Sequence, residues 1–289
     1  MSFTLTTAAL HAMMPHAPAP YIEAMAVGQS ILRSAGILDS INRCAYLFAN
    51  AAEESAEFGP TEITENIHYT PARACAVWPS RFHSVGDVYA KVGSWPGDPA
   101  FATKLMDNVY GDRMGNRPGT HDGSEFIGRG GLQLTGRDEY AQLAQATGLD
   151  LVAHPELSTL PENQDPIMAA YVKIRNLNRW ADAGNFTQYV RTINGGTIGM
   201  STRLYYLSHM LPIVTALSKG TLGSGHTVEA LQQDLNTLSG AGLTVDGKIG
   251  DATTTAVLAF QKLRGITPAD GIPGPITWSV IDSELKAAA

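Results

Sequence analysis

Ala52-Glu-Glu-Ser-Ala-Glu-Phe-Gly-Pro-Thr-Glu-Ile-Thr-Glu-Asn-Ile-His-Tyr69 is the stretch on which the reading of this chain turns. Counted in helical steps, Leu47, Ala51, Glu54 and Phe58 fall at i, i+4, i+7 and i+11, one face of a helix. Glu53 and Glu57 fall with Tyr46 and Asn50 on the more polar side. Glu54 is therefore the one carboxylate in line with the apolar stripe. A carboxylate so placed loses hydration, which disfavours its charged form, and that is one way to make a general acid at neutral pH. Glu65 lies past the Gly59-Pro60 break and is expected on a loop or short strand. The plainer reading also fits these residues: a partly exposed helix-end carboxylate and a solvated loop charge.

Working outward, the 289 residues suggest two domains, or one large domain with an appendage. Apolar residues make up 44%, enough for a sizeable core, and charged residues only 16%. The net charge is −7 with no cluster of Lys or Arg, so nucleic acid is an unexpected partner and a basic membrane anchor is absent from the pattern. The longest nearly apolar run, Ala45 to Ala52, is interrupted by Asn50 and far short of a membrane span, so no stable membrane insertion is expected. Met1-Ser-Phe-Thr-Leu-Thr-Thr has no basic segment before an apolar one, so the expectation is synthesis in the cytosol without a secretory signal. In that reducing compartment Cys44 and Cys75 are expected as two buried thiols. No Cys or His spacing reads as a metal site, and no cofactor is expected.

Toward the N-terminus, an apolar spacing through Leu5, Leu10 and Met13 ends at Pro15. A helix from about Tyr21 to Ser34 should bury Ile22, Met25, Ala26, Ile31 and Leu32, with Gly36 after its end. A third helix starts near Asp39-Ser40 and runs to Glu57. Toward the C-terminus, residues 59–122 are loop-rich, with helical pieces at Pro71–Ala76, Val85–Val92 and Pro99–Val109. The glycine-rich polar run from Tyr110 to Gly123 reads as a functional surface loop. In Phe126-Ile-Gly-Arg-Gly-Gly-Leu-Gln-Leu-Thr-Gly-Arg137 the glycines fit neither nucleotide-loop pattern, and they suit a close approach of backbone to a ligand. Gln133 and Thr135, two apart in an extended stretch, would point the same way, an amide and a hydroxyl facing a hydroxyl-rich ligand. A hairpin with two exposed polar residues fits equally well. Asp138 can cap a helix that stops at Gly148; Gln164–Asn176, Asn185–Ile193 and Arg203–Leu217 follow, with a turn at Ile193-Asn-Gly-Gly196.

Five of these segments, in order, resemble the glycoside hydrolase family 19 fold of chitinases and phage endolysins. They are Glu54-Ser-Ala-Glu-Phe58, against the family pattern His-Glu-Ser-Gly-x-Phe, then Glu65-Asn-Ile-His-Tyr69, Asn108-Val-Tyr-Gly-Asp-Arg-Met-Gly-Asn116, Gly128-Arg-Gly-Gly-Leu-Gln-Leu-Thr-Gly136 and Ile193-Asn-Gly-Gly196. The resemblance covers roughly residues 4–215. It implies that Glu54 is the general acid and Glu65 the base that activates water. It places Gln133 and Thr135 in substrate and water positioning, Asn194 and Tyr69 in substrate binding, and Arg203 in the charged network beside the site. Glu53 stands where the family has His, and Ala56 where it has Gly. The spacing from Glu54 to Glu65 is about two residues longer than is common in the bacterial and phage branch, which makes Glu62 a rival for the second carboxylate.

The C-terminal part contains a repeat. Asp246-Gly-Lys-Ile-Gly-Asp-Ala-Thr253 and Asp270-Gly-Ile-Pro-Gly-Pro-Ile-Thr277 both read DGxxGxxT. Apolar spacings through Val228, Leu231, Leu235 and Leu238, and through Val257, Phe260 and Leu263, mark helices before and between the two. Residues 228–281 resemble the peptidoglycan-binding domain 1 family, which implies a cell-wall anchor.

The chain is therefore expected to be mainly α, a lysozyme-like α+β body with a minor β-hairpin over residues 1–215, a linker at 216–226 and a three-helix bundle at 227–285. The resemblances imply an endolysin-type hydrolase of peptidoglycan glycan strands, monomeric and released through a holin pore to act on the wall. A chitinase, a secreted antibacterial effector and a non-enzymatic wall-binding protein share much of the pattern.

Overall fold

The computed structural model describes residues 3–61, 63–219, 228–247, 251–267, 269, 271, 273 and 275–288. It is mainly α, and strand pairing among these residues is limited to isolated antiparallel bridges, Thr64 with Arg129 and Arg129 with Leu134. The hairpin expected of the glycine-rich segment is thus reduced to single bridges. No helix of the described residues is long and apolar enough to cross a membrane. The chain forms two compact units, Glu54–Tyr171, and Met1–Glu53 together with Val172–Ala289.

The Glu54–Tyr171 unit holds the helices Pro71–Val77, Val85–Lys91, Phe101–Tyr110, Asp122–Glu125 and Arg137–Thr147. Thr70 and Ser84 cap the first two by accepting from the N–H of Arg73 and Asp87. Such caps satisfy donors that the first helical turn leaves free. Phe82, Val88, Phe101, Leu105, Met106 and Val109 form the core here, and Tyr69, Trp78 and Tyr110 pack against it from its edge. Each large apolar side chain so buried contributes roughly 1.5–3 kcal/mol. The Arg137–Thr147 helix begins from Gly136, so Asp138 lies in its first turn instead of capping it, and Gly148 ends it in the left-handed conformation as expected.

In the other unit the helices are Thr7–Met13, Ala19–Ser34, the part of Ile41–Ser55 before Glu54, Asn178–Asp182, Phe186–Asn194 and Met200–Ser218, followed by three more at the C-terminus. Ile22, Met25 and Leu32 are buried as the spacing predicts, whereas Ile31 is exposed. Cys44 is a buried free thiol and Cys75 a half-buried one. Met200–Ser218 carries the buried Ala216 and Leu217, so the start of the expected linker is helix; the rest of that linker, from 220, lies outside the described residues.

Val228–Ser239, Asp251–Leu263 and Pro275–Ala288 are the three helices of the C-terminal segment. The repeat has a structural counterpart in two buried glutamines. Gln232 accepts from the N–H of Asp246 and of Gly247, both at 3.0 Å, and donates to the Thr253 hydroxyl at 3.2 Å. Gln261 accepts from the N–H of Gly271 at 2.7 Å and donates to the Thr277 hydroxyl at 3.1 Å. Gln232 ties Asp246 and Gly247, and Gln261 ties Gly271, to the threonine that closes each motif. A buried amide is retained only when its hydrogen bonds are met, and both are.

Candidate active site

The helix that carries Glu54 ends at Ser55, two residues earlier than its periodicity suggests. Ala56, Glu57 and Phe58 follow in the left-handed region, with φ of 45, 59 and 62°. The Ser55 hydroxyl accepts from the Phe58 N–H at 2.9 Å and the Gly59 N–H bonds the Ser55 carbonyl, which fixes the turn. Helical counting no longer applies past Ser55. That is why Glu57, expected on the polar side, is buried. Leu47 and Ala51 are fully buried, and Glu54, on the same stripe, is half-buried.

Phe58 leads to the glycine-rich segment. A β-carbon on Gly131 would come within 2.2 Å of the Phe58 ring, and one on Gly130 within 2.5 Å of the Ser158 carbonyl. The glycines thus admit other parts of the protein, where the sequence suggested room for a ligand. Gln164, fully buried, accepts from the Gly131 N–H at 3.0 Å and donates to the Ser158 and Leu160 carbonyls, which locks the segment in place.

Glu65 is seated on this segment. Its N–H donates to the Gly128 carbonyl at 2.7 Å, and its Oε2 accepts from the Gly128 N–H at 3.1 Å. Its Oε1 accepts from the Tyr110 hydroxyl at 3.1 Å. Both oxygens of the carboxylate are therefore held, one by main chain and one by a phenol. Burial, then the nearby Glu65 charge, pushes the Tyr110 hydroxyl well above the usual tyrosine range, so it stays a donor at any working pH. Tyr69 packs edge-on against Trp78 with ring centroids 4.8 Å apart, and Trp78 against Tyr110 at 6.4 Å. These rings make an aromatic wall beside Glu65.

Gln133 has φ of 49° and sits in a turn, so the alternation argument that paired it with Thr135 does not hold. The two are joined differently: the Thr135 hydroxyl donates to the Gln133 carbonyl at 2.9 Å. Gln133 nonetheless faces Glu65. A β-carbon on Gly128 would meet Gln133 Oε1 at 2.7 Å and Glu65 Oε2 at 3.5 Å, so both side chains crowd the same face of that glycine. Glu62 lies outside the described residues.

The loop from Tyr110 to Gly123 is well tied. Asn116 donates to the Tyr110 carbonyl at 2.9 Å and accepts from the Arg137 N–H at 2.8 Å. Arg117 grips the buried Asp122 through two side-chain bonds of 2.9 and 2.8 Å, which holds that carboxyl down at about 2.

In the other unit, Asn194 ends the Phe186–Asn194 helix, is exposed, and donates to the Ile198 carbonyl at 3.2 Å. Arg203 is 2% exposed, donates to Asn50 Oδ1 at 2.7 Å and lies 3.4 Å from Glu53 Oε2. Glu53 is therefore the partner of a buried cation, where the helical count suggested an idle surface charge. Gly199 makes room for it, since a β-carbon there would come within 2.1 Å of Glu53 Oε1.

Tyr110 and the Gly128 backbone were not singled out by sequence. A signal for Tyr110 existed: it lies four residues after the buried Met106 on the Phe101–Tyr110 helix, and a tyrosine on a buried stripe needs a hydroxyl partner.

Comparison with known proteins divides along the chain. Residues 224–281 match the peptidoglycan-binding domain family. A glycosyl hydrolase family 19 domain-containing protein of Haemophilus influenzae is 24% identical over 211 residues, 70% of this chain and 94% of that protein. An uncharacterized protein in the bpoA1 3′ region of Kitasatospora aureofaciens is 48% identical over 60 residues, 20% of this chain and 50% of that protein. A zinc D-Ala-D-Ala carboxypeptidase of Streptomyces albus G is 42% identical over 67 residues, 22% of this chain and 26% of that protein. The chain thus spans half or less of two of these relatives. A peptidoglycan-binding segment follows a larger helical part, and the chain as a whole is similar over most of its length to a protein carrying a family 19 domain.

Proposed function

We propose that this protein is a peptidoglycan hydrolase that cleaves β-1,4 glycosidic bonds of the wall by two-carboxylate, inverting chemistry. The observation that carries the reading is the seating of Glu65 between the Gly128 N–H and the Tyr110 hydroxyl, in the compact unit that begins with Glu54. A carboxylate with both oxygens held by hydrogen bonds is fixed in orientation, as a base that must meet one water is. Glu54, half-buried at a helix end, is the acid that gives its proton to the leaving oxygen. Glu65 takes a proton from water on the opposite face of the sugar. Inversion by this route needs the two carboxyls roughly 6.5–9.5 Å apart.

Gln133 and Thr135 orient substrate and the attacking water, and Tyr69 contributes to the sugar-facing wall. Asn194 is the glycan contact supplied by the Asn-Gly-Gly turn. Arg203, enclosed by Asn50 and Glu53, positions the end of the acid's helix and does not itself touch sugar. The C-terminal segment delivers the enzyme to peptidoglycan, which favours wall strands over chitin as substrate. In an endolysin's life the enzyme acts as a monomer once a membrane pore has released it to the wall.

The test is Glu54→Gln and Glu65→Gln in the full chain, assayed for reducing ends released from purified sacculi and for sacculus binding. Acid and base catalysis contribute about 10²–10⁴-fold each. Activity should fall by that order while binding persists. Undiminished release of reducing ends would refute the assignment.

A further inference from the structure

Two exposed arginines, Arg73 and Arg113, flank the aromatic wall beside Glu65 in a protein of net charge −7. The Arg113 guanidinium lies over the Tyr110 ring, 5.0 Å from its centroid, and that ring's hydroxyl holds Glu65. Arg73 stands on the first turn of the Pro71–Val77 helix, beside Tyr69 at the other end of the aromatic wall. The Tyr69 hydroxyl is raised by burial first and by Glu65 next, with Arg73 opposing, so it lies within electrostatic reach of both charges. Arg73 and Arg113 are exposed, and neither pairs with a carboxylate among the described residues. Their neighbours are committed: Arg81 pairs with Asp112 and Arg117 with Asp122.

We propose that Arg73 and Arg113 form a cationic rim that binds carboxylates on the lactyl–peptide substituents of the glycan, so that the site prefers peptidoglycan strands to neutral chitin. This rests on the hydrolase reading above. A neutral sugar chain offers two guanidiniums hydrogen-bond acceptors but no charge to meet. An anionic one approaching a protein of net charge −7 is repelled unless cations stand at the entrance. Stacking on Tyr110 holds the Arg113 fork in place, so less side-chain freedom is lost when it meets a carboxylate.

The experiment uses the full chain at low salt with soluble oligomers of three kinds: peptide-bearing glycan, the same glycan stripped of peptide and retaining its lactyl carboxylate, and chito-oligosaccharide. kcat/KM is measured for the first two, and the third is measured as a competitive inhibitor. Arg113→Gln should lower the preference for carboxylate-bearing over neutral oligomer about fivefold, the upper end for one exposed ion pair. The loss should fall in KM, and it should shrink at high salt. Arg113→Lys should keep most of the preference, and adding Arg73→Gln should lower it further. A loss confined to the peptide-bearing oligomer assigns the carboxylate to the stem peptide, and a loss on both assigns it to the lactyl group. An unchanged ratio, or equal losses on charged and neutral oligomers, overturns the rim. A wild-type protein that cleaves none of the carboxylate-bearing oligomers sinks the hydrolase reading and the rim with it.

Discussion

The Tyr110 hydroxyl and Glu65 Oε1 are 3.1 Å apart, with the phenol as donor. Because this hydroxyl resists ionisation, the bond persists across the pH range in which the enzyme would work. A hydrogen bond to a charged group is worth about 1.5–3 kcal/mol. Tyr110→Phe keeps the ring that packs against Trp78 and removes only the donor. It should lower kcat on solubilised peptidoglycan by roughly tenfold or more with little change in Tm. A variant with wild-type kcat would show that Glu65 does not depend on this bond.

Gly131 has no room for a side chain. Its β-carbon would lie 2.2 Å from Cε1 of Phe58, a fully buried ring. Overpacking of this kind costs about 1–3 kcal/mol. Gly131→Ala should reduce stability by that amount in urea unfolding, and Gly131→Ala with Phe58→Leu should recover part of it. Failure of the double variant to recover any stability would mean that the clash is not with Phe58.

Ala56 is exposed and holds φ of 45°, the conformation for which glycine is the natural choice. The left-handed region costs a residue with a β-carbon about 1–2 kcal/mol, and glycine's freer unfolded chain offsets up to about 1 of that. Ala56→Gly should therefore stabilise the protein by about 0.5–1 kcal/mol. A loss of stability in chemical denaturation would contradict this account of the turn.

Glu53 balances the charge of Arg203, whose guanidinium is shut away from solvent. Removing one member of a buried pair strands the other, typically at about 3–5 kcal/mol. Glu53→Gln leaves an amide in place and should cost somewhat less, about 2–3 kcal/mol. The double variant with Arg203→Met should be more stable than Glu53→Gln alone. Independent, additive losses would argue against the pair.

Asp165 is 2% exposed, and neither carboxylate oxygen has a hydrogen-bond partner among the described residues. Burial raises its pKa from 3.8 to about 8. Between those values the folded protein keeps a proton that the unfolded chain has released, so stability falls as pH rises, by about 1.4 kcal/mol per pH unit from this group. The fall is absent below the lower value and complete above the upper one. Asp165→Asn should raise Tm at pH 7 and flatten its dependence on pH between 5 and 8. Parallel curves for the two proteins would exclude Asp165 as the source.

Much of this was legible in the sequence because helical spacing and cap chemistry are local. The helices Phe101–Tyr110, Arg137–Thr147 and Val228–Ser239 follow from their apolar stripes and bounding residues. The end of the Glu54 helix was misplaced, since nothing in Ala56-Glu57-Phe58 advertises three left-handed residues in a row. The side-chain direction of Gln133 was inferred from an alternation that its turn abolishes. The partners of Glu65 lie 45 and 63 positions away and that of Glu53 lies 150 away, and the partner at 63 is a backbone N–H, which no residue type announces. The doubled Asp-Gly motif was visible, whereas its fastening by Gln232 and Gln261 needed coordinates.

Glu65 rests in part on the main chain of Gly128, and that part of its footing does not depend on which side chains surround it. On the hydrolase proposal, retargeting toward a different wall begins at Arg73 and Arg113, exposed positions whose exchange leaves the Gly128 support of Glu65 untouched. The glycine-rich floor offers no such freedom: every occupied neighbour of Gly128, Gly130 and Gly131 makes it a poor place to start a library.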